Sequence, residues 1–199
     1  VNIPYITTLH GTDITLVGKE PEFEPTISFA INQSDIVTSV SESLKKDTYN
    51  HFNVTKDIKV VPNFVCVSKF KKDSLNCKKD VFAPNGEKIL MHISNFRKVK
   101  RIQDVIKIHA IVNKQTPTRL ILIGDGPERS AMERLAREQG VEGSTFFLGK
   151  IKETEKALCS ADVYLMTSEI ESFGVSALEA MAAGVPVISS NTGGIPEVN

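Results

Sequence analysis

Short apolar runs alternate with helix-length amphipathic segments along almost the whole chain, and this alternation predicts a parallel sheet with crossover helices. Strands are expected at Tyr5 to Leu9, Asp35 to Ser39, Ile58 to Val61, Lys88 to Ile93, Arg119 to Ile123, Thr145 to Leu148, Val163 to Thr167 and Val187 to Ser190. Helices are expected at Pro25 to Gln33, Glu42 to Phe52, Ile102 to Val112 and from Pro127 to about Gln139, where Gly140 ends the last of these. Ser41 is placed to cap the Glu42 helix, because its hydroxyl can accept a first-turn amide. Ile102, Val105, Ile106 and Ile108 fall mostly on one side of their helix.

The pattern dissolves between Phe64 and Glu87, where lysines, aspartates and Pro84-Asn85-Gly86 read as a linker or loop. The expected organisation is therefore residues 1–63 as the end of one Rossmann-like domain, 64–87 as linker, and 88–199 as most of a second. Both ends read as cut, since Val1 leads into a strand and Thr192 to Val198 reads as the start of a helix. Doubly wound sheets bind ligands beyond the carboxyl ends of their strands. The loops of interest are those at strand exits: His10-Gly11, Ser94 to Arg101, Gly124-Asp125-Gly126, Gly149-Lys150 and Ser168 to Gly174.

The last of these loops opens the richest stretch of the sequence, Glu171-Ser172-Phe173-Gly174-Val175-Ser176-Ala177-Leu178-Glu179. Its two carboxylates are eight positions apart, the apolar residues between them suit a helix, and the run after Gly184 suits a buried strand. A loop acid, a glycine at a helix entry and a second acid about two turns into that helix suit a ligand that is both polyhydroxylated and anionic. The amides of Phe173, Gly174 and Val175 would face phosphate or sugar oxygens at that helix entry.

Charge narrows the partners. Lysine plus arginine equals aspartate plus glutamate at 24 each, which argues against a general nucleic-acid or membrane-surface role. The local exception is Arg97-Lys98-Val99-Lys100-Arg101. Cys66, Cys77 and Cys159 lack metal-ligand or redox spacing and read as reduced thiols of a cytoplasmic protein. No apolar run of membrane-spanning length occurs, so no stable membrane insertion is expected. No Asp-x-Asp motif is present, which leaves cations and helix termini to stabilise any leaving diphosphate, with no metal. His51, His92 and His109 are expected to be structural.

Taken in order, His10-Gly11-Thr12-Asp13, Ser39 to Glu42, Val61-Pro62-Asn63, Gly124 to Glu128, Phe147-Leu148-Gly149, Glu171 to Glu179 and Gly193-Gly194-Ile195-Pro196-Glu197 resemble the family 4 retaining glycosyltransferases. That resemblance implies the GT-B architecture, two Rossmann-like doubly wound domains with a cleft between them. It implies a sugar nucleotide as substrate and no separate cofactor. It assigns Glu179 to the ribose hydroxyls, Glu171 to the sugar, and His10 to the donor sugar and leaving phosphate. It assigns Lys100 to the diphosphate. Asn95 stands where the family carries an arginine, and Arg97, two positions on, is the candidate replacement. Gly124, Gly149 and Lys150 would line the nucleobase pocket through backbone groups. The wording Ser94 to Arg101 is similar to the subgroup that joins N-acetylglucosamine from UDP-N-acetylglucosamine to L-malate in bacillithiol biosynthesis. A lipid or polysaccharide acceptor, or a nucleotide-sugar epimerase on the same scaffold, stays open at this point, as does a homodimer.

Overall fold

A computed structural model of the protein describes residues 3–15, 20–70, 77 and 79–199. Residues 71–76 and 78 of the expected 64–87 linker, and the first two residues of the chain, lie outside the described residues. By its internal contacts the chain divides into two compact units. One comprises Val1–Phe64, Ile170–Gly174 and Asn191–Asn199; the other comprises Val65–Glu169 and Val175–Ser190.

The first unit holds β1 (Ile6–Leu9), α1 (Thr12–Thr15), α2 (Glu24–Gln33), β2 (Ile36–Ser39), α3 (Glu42–His51) and β3 (Ile58–Val60). Its strands form a parallel sheet in the order β1-β2-β3, with Leu9 opposite Ser39 and Ser39 opposite Val60. Leu9, Ile14, Val37, Leu44 and Ile58 are fully buried and make its core. Ser41 caps α3 as expected, its hydroxyl accepting the Leu44 amide at 3.0 Å. The C-terminal helix α9 (Ile195–Val198) belongs to this unit and buries Ile195.

The second unit contains α4 (Lys79–Phe82), β4 (Lys88–Ile93), α5 (Ile102–Val112), β5 (Thr118–Ile123), α6 (Arg129–Glu138), β6 (Thr145–Gly149), α7 (Thr154–Leu158), β7 (Val163–Met166), α8 (Val175–Ala182) and β8 (Val187–Ser189). Its five strands are parallel in the order β6-β5-β4-β7-β8. The chain walks outward from β4 to β6, returns to the far side of β4 and walks out again to β8. That reversal puts a topological switch point between β4 and β7, the place where doubly wound sheets bind ligands. Ile89, Met91, Leu120, Ile121 and Leu122 are fully buried, as strands covered on both faces must be. One face packs on Ile102, Val105, Ile106 and Ala110 of α5 and on Met132 and Ala136 of α6, with Ile108 partly buried beside them.

The parallel α/β expectation holds, and each expected strand and helix is found within a residue or two of its expected ends. Among the described residues no helix is long and apolar enough to cross a membrane. The cysteine expectation is corrected. Cys77 and Cys159 form a disulfide with their Cα atoms 5.6 Å apart, while Cys66 is free and exposed. The bonded pair is separated by 82 positions, so no local spacing announces it. The inference of a reducing compartment from cysteine usage therefore loses its basis. Near the same place the Lys79 ammonium meets Asp162 at 2.7 Å, and Asp162 also accepts the Ile89 amide at 2.8 Å. Closing a loop of this length restricts the unfolded chain, an effect of about 2–4 kcal/mol. Dithiothreitol should lower the thermal unfolding midpoint by several degrees. An unchanged midpoint, with all three cysteines titrating as free thiols before reduction, contradicts the bond.

Candidate nucleotide-sugar site

In the second unit the loop leaving β4 and the segment leaving β7 are tied together at the switch point. After β4, residues Lys98–Lys100 form one turn of 3-10 helix, and Arg101 follows at φ 50°, a left-handed conformation unusual for arginine. Two contacts hold this turn from the β7 side. The Thr167 hydroxyl lies 3.1 Å from the Lys100 carbonyl and 3.0 Å from that of Arg101, and the Glu169 amide donates to the Val99 carbonyl at 2.8 Å. Lys100 is thus half-buried on a braced turn, whereas Asn95 and Arg97 are exposed on the same loop. Arg101 forms ion pairs although its side chain stays 43% exposed. Its Nε lies 2.6 Å from Asp104 and its guanidinium 4.0 Å from Glu169, and the Asp104 hydrogen bond raises its already high pKa. The formal charges of Arg97, Lys98 and Lys100 are carried on this turn in addition.

Phe96 anchors the start of the loop. It is fully buried, edge-on to Phe147 with ring centroids 6.4 Å apart. Its amide donates to Asp125, and its carbonyl accepts from Glu128. Gly124 and Gly126 allow this packing. A side chain at Gly124 would meet the Ser94 carbonyl, and one at Gly126 would lie 2.6 Å from the Phe96 oxygen. The Gly124 amide in turn donates to the Gly149 carbonyl at 2.8 Å. The loops bearing Asn95, Gly124 and Gly149 are therefore contiguous at the carboxyl ends of β4, β5 and β6. Lys150 follows, exposed.

Glu179 sits on α8, which follows the β7 exit. The helix begins at Val175, so Glu179 lies just over one turn inside it rather than two. Ala177 and Ala180 face the core, and Glu179 is half-buried beside them. Burial pushes its carboxyl above the usual 4.5, and the neighbouring Glu155 charge adds to the shift.

His10, Glu171, Phe173 and Gly174 belong to the first unit. His10 is exposed at the exit of β1, and the next residue, Gly11, lies directly against Ser172. Gly11 has φ 133°, and a side chain there would collide with the Ser172 side chain. This contact brings the His10 and Glu171 loops together. The Glu171 loop is also supported from beneath by Gly193 and Gly194. Side chains there would strike the carbonyls of Glu171 and Ser172, and the Gly194 amide donates to the Glu171 carbonyl at 2.9 Å. Phe173 is 7% exposed and Gly174 has φ 97° before the chain enters α8.

The histidines set aside in the sequence are structural. Leu165 can only accept, so Nδ1 of buried His92 donates to its carbonyl at 2.8 Å and Nε2 accepts from Ser94 at 2.8 Å. His109 bonds Ser144 and Thr118, and burial lowers its pKa to about 4 with help from Arg119. His51 meets the Asp47 carbonyl on its own helix. Among the described residues no group of three or more His, Cys, Asp or Glu side chains is placed to hold a metal ion. Sequence reasoning missed the braces, Thr167 and Glu169 behind Lys100, and Ser41 and Glu197 behind Glu171. Ser41 carried a local signal as a helix cap, and Glu197 as the end of the Gly193 to Glu197 motif.

The chain is similar to known proteins in sequence and in fold. The profile of the glycosyl transferases group 1 matches residues 74–199, and that of glycosyltransferase family 4 matches residues 1–69. N-acetyl-alpha-D-glucosaminyl L-malate synthase of Bacillus anthracis is 46% identical over 197 residues, which is 98% of this chain and 52% of that protein. An uncharacterized glycosyltransferase of Methanocaldococcus jannaschii, MJ1607, is 30% identical, covering 98% of this chain and 54% of its own. The crystal structure of Anabaena Alr3699/HepE in complex with UDP-glucose matches with a TM-score of 0.84 at 19% identity, over 98% of this chain and 55% of that one. That of WaaG, a glycosyltransferase involved in lipopolysaccharide biosynthesis, matches with a TM-score of 0.78 at 15% identity, over 98% and 59%. The chain spans about half the length of the curated relatives it matches. With a GT-B type α/β fold and a profile match over most of its length, the chain belongs to the group 1 glycosyl transferases.

Proposed function

We propose that this chain is part of a retaining glycosyltransferase that moves N-acetylglucosamine from UDP-N-acetylglucosamine to the hydroxyl of L-malate, releasing UDP. The observation that carries this reading is the 46% identity to the Bacillus anthracis N-acetyl-alpha-D-glucosaminyl L-malate synthase over nearly the whole chain. The braced Lys100 turn and half-buried Glu179 support a sugar nucleotide as donor. Glu179, once ionised, accepts both ribose hydroxyls. Lys100, joined by Arg97 and the amides at the start of α8, spreads the charge of the leaving diphosphate, each contact supplying roughly 3 kcal/mol of transition-state stabilisation. In the first unit His10 orients the donor, and Glu171 faces the sugar and supports positive charge growing at its anomeric carbon. The leaving phosphate oxygen takes the acceptor proton on the same face of the sugar, so configuration is kept. No metal takes part in this scheme.

The full-length protein incubated with UDP-N-acetylglucosamine and malate should give the N-acetylglucosaminyl malate mass, unchanged by a chelator. Glu171→Gln should lose most of this turnover while keeping the wild-type melting temperature. No adduct under varied conditions overturns malate as acceptor. Conversion of the donor into an isomeric sugar nucleotide without malate and without UDP release points instead to an epimerase. Loss of activity in chelator overturns the metal-free scheme.

A further inference from the structure

The Glu171 loop is held by two side chains whose reach is long in sequence. Ser41 is fully buried at the exit of β2. Its hydroxyl has one proton, and that proton goes to the Ser172 carbonyl at 2.6 Å, while its lone pair accepts the Leu44 amide at 3.0 Å. One group therefore caps α3 and grips the loop. Glu197, on α9, supplies the other hold. Its carboxylate accepts the Glu42 amide at 2.8 Å through one oxygen and the Ser43 amide at 2.8 Å through the other. These three bonds satisfy the first-turn amides of α3, groups that have no partner within a helix. A carboxylate at a helix N-terminus gains from the dipole as well. α9 is thereby pinned to α3, and the residues just before it, Gly193 and Gly194, are the ones lying under Glu171 and Ser172.

We propose that Ser41 and Glu197 are positioning residues for Glu171. The start of α3 serves as a fixed frame. Ser41 holds the Ser172 carbonyl from one side, and Glu197 holds the Gly193-Gly194 shelf from the other, so that the backbone at Glu171 has little freedom. Gly193 sits at φ 55° and its amide neighbour Gly194 donates to Glu171 itself. The proposal rests on the assignment of Glu171 to the sugar, and it adds that two residues outside the substrate contacts set where that carboxylate points.

The test uses the full-length protein with Ser41→Ala, Glu197→Gln and Glu171→Gln, alone and in pairs. Ser41→Ala and Glu197→Gln should each lower kcat by about ten- to a hundredfold with KM for UDP-N-acetylglucosamine unchanged, the signature of a misplaced group rather than a lost contact. In the Glu171→Gln background neither should lower kcat further, whereas their effects on melting temperature should persist. Hydrogen exchange gives a readout independent of turnover. The amides of residues 171–174 and of Gly194 should exchange at least about tenfold faster in Ser41→Ala, while those of β4 and β5 stay as slow as in the wild type. Unchanged exchange there overturns the clamp. Faster exchange with wild-type kcat, or an equal loss of kcat in the Glu171→Gln background, overturns the positioning role. A wild-type protein that transfers no sugar, or a Glu171→Gln variant at wild-type kcat, defeats the functional assignment itself, and the positioning role falls with it.

Discussion

Lys100→Ala in the full-length protein should lower kcat of the proposed transfer by about 10²–10³-fold, the effect of removing one fixed donor from a developing negative charge. The magnitude follows from how the residue is held. Lys100 ends a single turn of 3-10 helix whose carbonyl face is locked by Thr167 and Glu169. Its ammonium therefore projects from a backbone that is already in place, so in the proposed role little reorganisation is needed as charge builds on the diphosphate. Arg97, exposed at the entrance to the turn, lacks such bracing, and Arg97→Ala should cost less. Arginine at position 100 should recover only part of the loss, since a planar fork does not replace a compact point charge in the same space. Steady-state kinetics with circular dichroism as a folding control measure all three. Near-wild-type turnover in Lys100→Ala contradicts the role given to the residue.

The second large effect is on affinity. Glu179→Ala should weaken UDP binding by about 10²-fold, because hydrogen bonds to a charged acceptor contribute about 1.5–3 kcal/mol. The pH dependence carries the sign. In the proposed role the ionised carboxylate accepts from both ribose hydroxyls more strongly than the neutral carboxyl does, and burial raises the Glu179 pKa above 4.5. UDP affinity should therefore rise with pH through that raised pKa and fall on acidification, starting at a higher pH than an exposed glutamate would give. Glu179→Gln keeps the shape and cannot ionise, so the difference between the two titrations isolates this group from the ionisation of UDP itself. Isothermal calorimetry across the acid range reads both. Parallel curves for wild type and Glu179→Gln contradict the ribose assignment.

Much of this was legible in the linear chain because the information is local. Buried parallel strands read as continuous apolar runs, and Leu120 to Ile123 is one. Ser41 precedes a helix and caps it. The Glu171 to Glu179 spacing marks a loop leading into a helix. What the chain conceals is long in range. Ser41 and Ser172 are 131 positions apart, and Glu42 and Glu197 are 155 apart. Neither pair leaves a periodicity or a motif. The Cys77–Cys159 bond is hidden for the same reason. A helix starting near Gly174 already puts Glu179 only about one and a half turns in at 3.6 residues per turn, so the two-turn expectation overcounts the turns and does not misplace the start. The basic cluster shows the limit of reading charge without structure. Arg101 resembles its neighbours in sequence, yet Asp104 and Glu169 engage it, while Lys100 is held by its backbone.

The most direct measurement is a crystal structure of the full-length protein with UDP bound. The expected result has the Lys100 Nζ within hydrogen-bonding distance of a phosphate oxygen and the Glu179 carboxylate accepting from the ribose hydroxyls. UDP seated elsewhere, or seated here with Lys100 and Glu179 both turned away from it, contradicts the assignment of this switch point as the donor site.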